Sequence, residues 1–302
     1  MKLKRLGICI ALLSLFVSMV AGCQPQFQPG TYTDDMGRAV AIDQIPQRLV
    51  SFGPSITEIL FALGLEEKVV GVSDYCDYPE AATLKAKVGD AFSPSLEKIV
   101  ELEPDLILTL KQEQLNRELE NLGVTFMVLD PEDIDGIFKD IELVGEITGT
   151  KKRAEELVED MQDSISQVTA LMEDVPKVSV FFIVDATDLT LPWTAGAGSF
   201  IDALITMASG ENIAGGAVGW VQFSLEQIVS SDPEVIIIQT MTGGIPTVSK
   251  EELETSPAWG EMTAVKQGKI CFINGDLVSR PGPRIVQGLE ELAKIIHPEL
   301  FE

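Results

Sequence analysis

Along the chain, short apolar runs alternate with longer stretches in which apolar residues recur every three or four positions. Residues 48–52 (Arg-Leu-Val-Ser-Phe) predict a strand, Gly53-Pro54-Ser55 a turn, and residues 56–63, apolar at i, i+3, i+4 and i+7, a helix. Residues 69–72, 106–110 and 124–129 are further strand-length runs set between helical stretches. Such alternation predicts βαβ units and a mostly parallel sheet. Residues 150–173 differ: they lack Gly and Pro, are rich in Lys, Glu, Ala, Leu and Met, and place Leu157, Met161, Ile165, Val168 and Leu171 at helical spacing. One helix of about six turns is expected there. Pro176 ends it, and a strand-like run over 178–184 opens a second α/β series.

The two series repeat one another. Ser95-Leu96-Glu97-Lys98-Ile99-Val100, then Glu103-Pro104-Asp105-Leu106-Ile107-Leu108, returns as Ser224-Leu225-Glu226-Gln227-Ile228-Val229, then Asp232-Pro233-Glu234-Val235-Ile236-Ile237, at a constant offset of 129 residues. Residues 55–60 find a fainter echo at 199–204. The expected fold is α/β: two Rossmann-like lobes with central, mostly parallel sheets, joined by one long rigid helix, with a ligand cleft between them. The lobes are assigned to 35–149 and 175–302, and the linking helix to 150–174. In each copy of the repeat the Ser is an N-cap candidate, and the Glu lies in the first helical turn, where the helix dipole favours a carboxylate. Local chemistry alone leaves capping and a functional role for Glu97 and Glu226 evenly matched.

The N-terminus changes the picture of where the protein works. Lys2, Lys4 and Arg5 precede an apolar run over 6–20, followed by Val20-Ala21-Gly22-Cys23. This is the pattern of a secretory signal, and its core is too short for a comfortable span of about 20 residues. Its ending resembles the bacterial lipoprotein signal, which implies cleavage after residue 22 and acylation of Cys23; residues 23–34, with their prolines and glutamines, read as a tether. Loss of Lys2, Lys4 and Arg5 lowers the formal net charge from −25 to −28. Nucleic acid is excluded as a partner, since binding it needs a basic stripe. A single histidine, His297, excludes a His-rich metal site and a Ser-His-Asp triad. Cys76 and Cys271 remain after processing, and whether they pair is open. Gly196-Ala197-Gly198-Ser199 lacks the lysine of a phosphate loop and reads as a helix start.

Two α/β lobes, a rigid connecting helix and a lipoprotein signal together resemble the ABC-importer binding proteins for vitamin B12, haem and ferric siderophores, closest to the vitamin B12-binding members. Gly71-Val72-Ser73-Asp74-Tyr75-Cys76-Asp77-Tyr78-Pro79 is similar to the first cleft loop of the cobalamin binders, Ala208-Ser209-Gly210-Glu211-Asn212-Ile213 to the family's second-lobe turn, and Arg280-Pro281-Gly282-Pro283-Arg284-Ile285 to its last loop. The resemblance covers the chain from Asp35 onward. It implies that Glu97 and Glu226 dock, one per lobe, against arginines of a permease dimer that carries ATPase subunits. It also implies that Tyr75, Trp193 and Trp220 contact a corrinoid, with Phe92 near another such position in a loop one residue shorter. Flat aromatic faces suit a large amphipathic macrocycle. Arg280 and Arg284 are the cations near the cleft, with a ligand phosphate or carboxylate and neighbouring acids as competing partners. No cofactor, no metal site, no enzyme activity and a monomer are expected. A ferric hydroxamate siderophore or haem is the alternative ligand. A secreted hydrolase using two carboxylates is the distant alternative, and the separation of Glu97 and Glu226 onto different lobes argues against it. Phe52 and Phe182 read as core, and Trp259 as either core or cleft.

Overall fold

The computed structural model describes residues 27–241 and 244–301. A hairpin opens it, β1 (Gly30–Thr33) antiparallel to β2 (Ala39–Ile42). The buried Asp34 pins this hairpin to the first lobe. Its carboxylate accepts from the Arg38 guanidinium at 2.6 Å and from the Val128 backbone N–H at 3.1 Å.

The first lobe follows: β3 (Leu49–Ser51), α1 (Pro54–Ala62), β4 (Val69–Val72), β5 (Ala86–Lys87), α2 (Leu96–Glu101), β6 (Leu106–Thr109), α3 (Glu113–Leu122), β7 (Phe126–Val128) and α4 (Ile134–Thr148). Its five strands are all parallel in the order β5-β4-β3-β6-β7. Gly123 and Gly149, at φ +68° and +76°, end α3 and α4 in the left-handed conformation that glycine adopts without a Cβ penalty.

The linking helix α5 (Lys151–Leu171) runs for 21 residues, roughly 31 Å. It buries Ala154, Val158, Met161 and Val168 along one stripe and packs on α4. At Gly145 the two helices approach so closely that Ala154 leaves no room for a side chain.

The second lobe contains β8 (Val178–Ile183), β9 (Trp193–Ala195), α6 (Phe200–Met207), β10 (Gly210–Asn212), β11 (Trp220–Gln222), α7 (Leu225–Ser231), β12 (Val235–Met241), β13 (Ile245–Pro246), α8 (Lys250–Thr255), α9 (Thr263–Lys266), β14 (Ile270–Asn274), α10 (Gly275–Ser279) and α11 (Ile285–Ile296). Strands β10, β8, β12 and β14 are parallel neighbours, and the short β13 joins β12 antiparallel. Helix α11 packs against α5 from this side, so both lobes grip the linking helix.

Strand alternation divides the core. On β8, Val180 and Phe182 face one way and Phe181 and Ile183 the other; on β12, Val235 and Ile237 oppose Ile236 and Ile238. In the first lobe Leu106 and Leu108 oppose Ile107 in the same manner. One face of each sheet packs into a cluster that runs through α5 and joins both lobes, and the other face closes a core belonging to that lobe alone. Because both faces are covered, these strands read as nearly continuous apolar runs.

Candidate functional site

In open parallel sheets, ligands bind beyond the carboxyl ends of the strands, where the strand order reverses. Here the chain leaves β3 for β4 and β5 on one side and for β6 and β7 on the other. In the second lobe it leaves β8 for β10 on one side and for β12 on the other. Tyr75 lies in the loop after β4 and Phe92 in the loop after β5. Both side chains are exposed, and the two loops are tied by Asp74 N–H donating to the Gly89 carbonyl at 3.0 Å.

Across the cleft, β9 is anchored to the end of β8, with Trp193 N–H donating to the Asp185 carbonyl at 2.7 Å. Strand β9 pairs antiparallel with β11 so that Trp193 opposes Gln222 and Ala195 opposes Trp220. Opposed residues share a face, as do residues two apart, so Trp193 and Trp220 stand diagonally on one side of the ladder. Both indoles are about half exposed, Trp193 at 42% and Trp220 at 53%. Trp220 also lines a groove of about 460 Å³ whose walls come from both lobes: Pro131 and Asp133 beyond β7, and Ser199, Val278 and Ser279 of the second lobe. The structure thus brings Trp193 and Trp220 onto one surface, and sets Tyr75 and Phe92 together on the carboxyl edge of the other lobe.

Arg280 has a different place. Its Nη1 donates to Asp77 at 2.7 Å and to Glu58 at 3.2 Å, and its Nη2 pairs with Asp276 at 2.9 Å. Arg284 binds Glu58 through both Nε (2.9 Å) and Nη2 (2.6 Å), and its guanidinium lies 3.8 Å above the Tyr78 ring. Glu58 and Asp77 belong to the first lobe, the arginines to the second. Gly282 between them rests against Ser55 at the start of α1, where an added Cβ would come within 3.3 Å of the Ser55 carbonyl oxygen. The segment Arg280–Arg284 is therefore a strap between lobes. Of the two kinds of partner open to Arg280, a ligand anion or neighbouring acids, the acids are seen: three protein carboxylates hold its guanidinium, and only 12% of the side chain is exposed. Burial disfavours the charge of Asp77, yet the hydrogen bond and charge of Arg280 outweigh it and hold Asp77 below the ordinary carboxylate range. Burial pushes Asp276 up despite the neighbouring Arg280. Glu58 and Asp276 had no signal in the sequence reading, and Asp77 entered it only as part of the loop over 71–79.

Glu97 and Glu226 both point outward from the first turns of α2 and α7, and neither forms an ion pair among the described residues. The Ile one turn-face away, Ile99 or Ile228, is fully buried and sets each helix's orientation. The caps differ. Ser224 accepts from Gln227 N–H and forms a full capping box, whereas Ser95 makes no side-chain cap. The expected Ser95 cap is thus not formed; the Ser95 backbone N–H closes the β5–α2 loop by donating to the Val88 carbonyl at 2.8 Å.

The profile of the periplasmic binding protein family matches residues 49–277 of this chain. The chain belongs to that family. Over 99% of both chains it is 33% identical to an uncharacterised ABC transporter substrate-binding lipoprotein, YvrC, of Bacillus subtilis. It is 28% identical to a cobalamin-binding protein of Halobacterium salinarum over 89% of this chain and 74% of that one. Among solved structures it is similar to the periplasmic haem-binding protein RhuT of Roseiflexus in its apo form, with a TM-score of 0.74 and 26% identity over 84% of this chain and 99% of that one. As a periplasmic binding protein it is the substrate-binding component of an ABC importer. It works on the extracytoplasmic side, with a permease and ATPase subunits as partners.

Several remaining sequence candidates have structural roles in this binding protein. Trp259 is fully buried, donating from Nε1 to the Leu189 carbonyl at 3.0 Å and lying 6.1 Å from the Phe181 ring. Phe52 and Phe182 are core residues. His297 closes α11 and is buried, its Nε2 3.3 Å from the Ser209 carbonyl. Ser199 caps α6, so the Gly196–Ser199 segment is a helix start. Cys76 and Cys271 are both free, and Cys76 is buried with its sulfur 3.0 Å from Thr57 Oγ1. The signal segment 1–22, Cys23 and the tether up to residue 26 lie outside the described residues. No helix among the described residues is long and apolar enough to cross a membrane.

Proposed function

We propose that this binding protein captures a corrinoid, cobalamin or cobinamide, in the inter-lobe cleft and delivers it to the permease. The observation that carries the reading is the pair of half-exposed tryptophans on one face of the β9/β11 ladder, with exposed Tyr75 and Phe92 on loops at the carboxyl edge of the other lobe's sheet. Flat aromatic faces can bury a broad, rigid macrocycle with little entropy loss. The similarity to cobalamin-binding relatives supports the same ligand class. Trp193→Ala and Trp220→Ala are each expected to weaken cyanocobalamin binding by about 1–3 kcal/mol. Isothermal titration checks this, and unchanged affinity in both variants would remove the tryptophans from the site. Haem is the second reading, favoured by the exposed Tyr75 phenol, which can ligate iron, and by the likeness to RhuT.

Acylation of Cys23 would tether the protein, as a monomer, to the membrane outer face, several acyl chains giving stable anchoring where one gives only marginal binding. Cys23→Ala is expected to abolish incorporation of labelled palmitate; undiminished labelling sinks the anchor. Glu97 and Glu226 would dock to the permease, one from each lobe. Their exposure, their lack of intramolecular ion pairs among the described residues and the 129-residue repeat support this role. Paired carboxylates on lobes held by one linking helix set register and orientation more than affinity.

A further inference from the structure

The 129-residue repeat preserves more than the two glutamates. Val100 and Val229 lie one turn beyond Glu97 and Glu226, on the same helix face, and are 55% and 44% exposed. A single exposed valine is ordinary. Two at the same register of two lobes, each beside an unpaired carboxylate on an outward face, are a repeated surface.

The backbone beneath is repeated too. Each helix is followed by a non-glycine residue in the left-handed region, Glu103 at φ +43° and Asp232 at φ +42°, and these positions are also 129 apart. Left-handed backbone at residues other than glycine costs on the order of 1 kcal/mol or more and persists where the surroundings hold it. Here they do. After Pro104 and Pro233, Asp105 accepts from the backbone N–H groups of Gln47 (2.7 Å) and Arg48 (3.0 Å), and Glu234 accepts from Ser179 N–H at 3.0 Å. Asp232 is further fastened to Thr263 N–H and Oγ1 at 2.7 Å each. Both lobes thus build one rigid bracket: a short helix carrying Glu and Val, a strained turn, a proline, and an acid that anchors to the start of the sheet.

Resting on the docking role proposed for the glutamates, we infer that Val100 and Val229 are contact residues of the same interface. Each Glu-Val pair seats against one of two identical permease subunits, at a site that offers a cation beside an apolar hollow. Charge complementarity selects a basic surface for a chain of net charge −25. The apolar half explains why the solvent-facing position of both helices is valine where a polar residue is the rule. Two matching brackets fit a partner that presents the same site twice.

The test places photo-reactive benzoylphenylalanine, one position at a time, at Val100, Val229, Glu97 and Glu226 of the full-length chain, in cells carrying its importer. Leu171, exposed on the linking helix, is the control. Illumination at positions 100 and 229 should give adducts to one and the same permease polypeptide, through overlapping peptides, with none from 171. Adducts from 97 and 226 without any from 100 and 229 would overturn the inference and leave the docking role standing. Adducts from 100 and 229 to different polypeptides would overturn it as well. Silence at all four positions would remove both.

Discussion

Replacing Glu58 by alanine is expected to destabilise the protein by about 3–5 kcal/mol, the cost of leaving buried charge uncompensated. Glu58 is 2% exposed at its side chain and holds Arg284 through two bonds and Arg280 through a third. Without it, Arg284 keeps the Tyr78 ring but has lost its bidentate carboxylate, with only 12% of its side chain exposed. Arg280 keeps Asp77 and Asp276. Urea unfolding of Glu58→Ala measures the loss. The double variant Glu58→Ala/Arg284→Ala should be less destabilised than the sum of the single changes, because each single change strands the partner that the double removes. A loss below about 1 kcal/mol in Glu58→Ala, the scale of an exposed pair, would mean that the strap does not hold the lobes.

Asp140→Asn is expected to stabilise the protein at neutral pH and to flatten its pH dependence. Asp140, on α4, is buried, and burial together with the charge and hydrogen bond of Asp35 and the charge of Asp130 pushes its pKa from 3.8 up to about 8. The folded chain keeps the carboxyl protonated at pH 7, while the unfolded chain releases the proton above pH 4. Stability therefore falls as pH rises from about 4 to about 8, and is flat outside that window. By pH 7 the loss amounts to something on the order of 4 kcal/mol. Asparagine has no proton to lose and can still donate to Asp35. Thermal unfolding of the two proteins from pH 4 to 8 should give curves that converge near pH 4 and separate upward; parallel curves would contradict it. The consequence reaches the cleft, because Asp35 also accepts from Asp130 N–H, which opens the loop carrying Pro131 and Asp133 into the groove beside Trp220.

Much of the architecture was legible because parallel strands covered on both faces write continuous apolar runs, as at residues 69–72 and 106–109. The 24-residue stretch without Gly or Pro likewise declared a helix. The strap was not legible. Glu58 lies on the side of α1 opposite the Ile56-Ile59-Leu60-Leu63 stripe, so its spacing reads as a solvated position. In fact every residue from Ser55 to Phe61 is buried, because the strap covers the second side of the helix from 222 and 226 residues away. Phe61, apolar and off the stripe, was the one local hint of that second covered face. The partners of Arg280 stayed open for the same reason: a cation near the cleft looks free until its distant carboxylates are known. Asp140 similarly reads as one more acid on an amphipathic helix, and only the return of Asp35 and Asp130 to the same spot makes it a buried one. Ser95 and Ser224 head similar helices, yet only Ser224 caps: the third helical residue there is Gln227, whose side chain accepts from the Ser224 N–H and completes a capping box, where the other copy has Lys98.

The proposed ligand is tested most directly by titrating the purified protein, in parallel, with cyanocobalamin, dicyanocobinamide, haemin and ferrioxamine, following tryptophan emission. The account predicts one-to-one quenching at micromolar concentration or below by at least one corrinoid, reduced in Trp193→Ala and Trp220→Ala. Saturable one-to-one binding of haemin or ferrioxamine, with no response to either corrinoid, would contradict it.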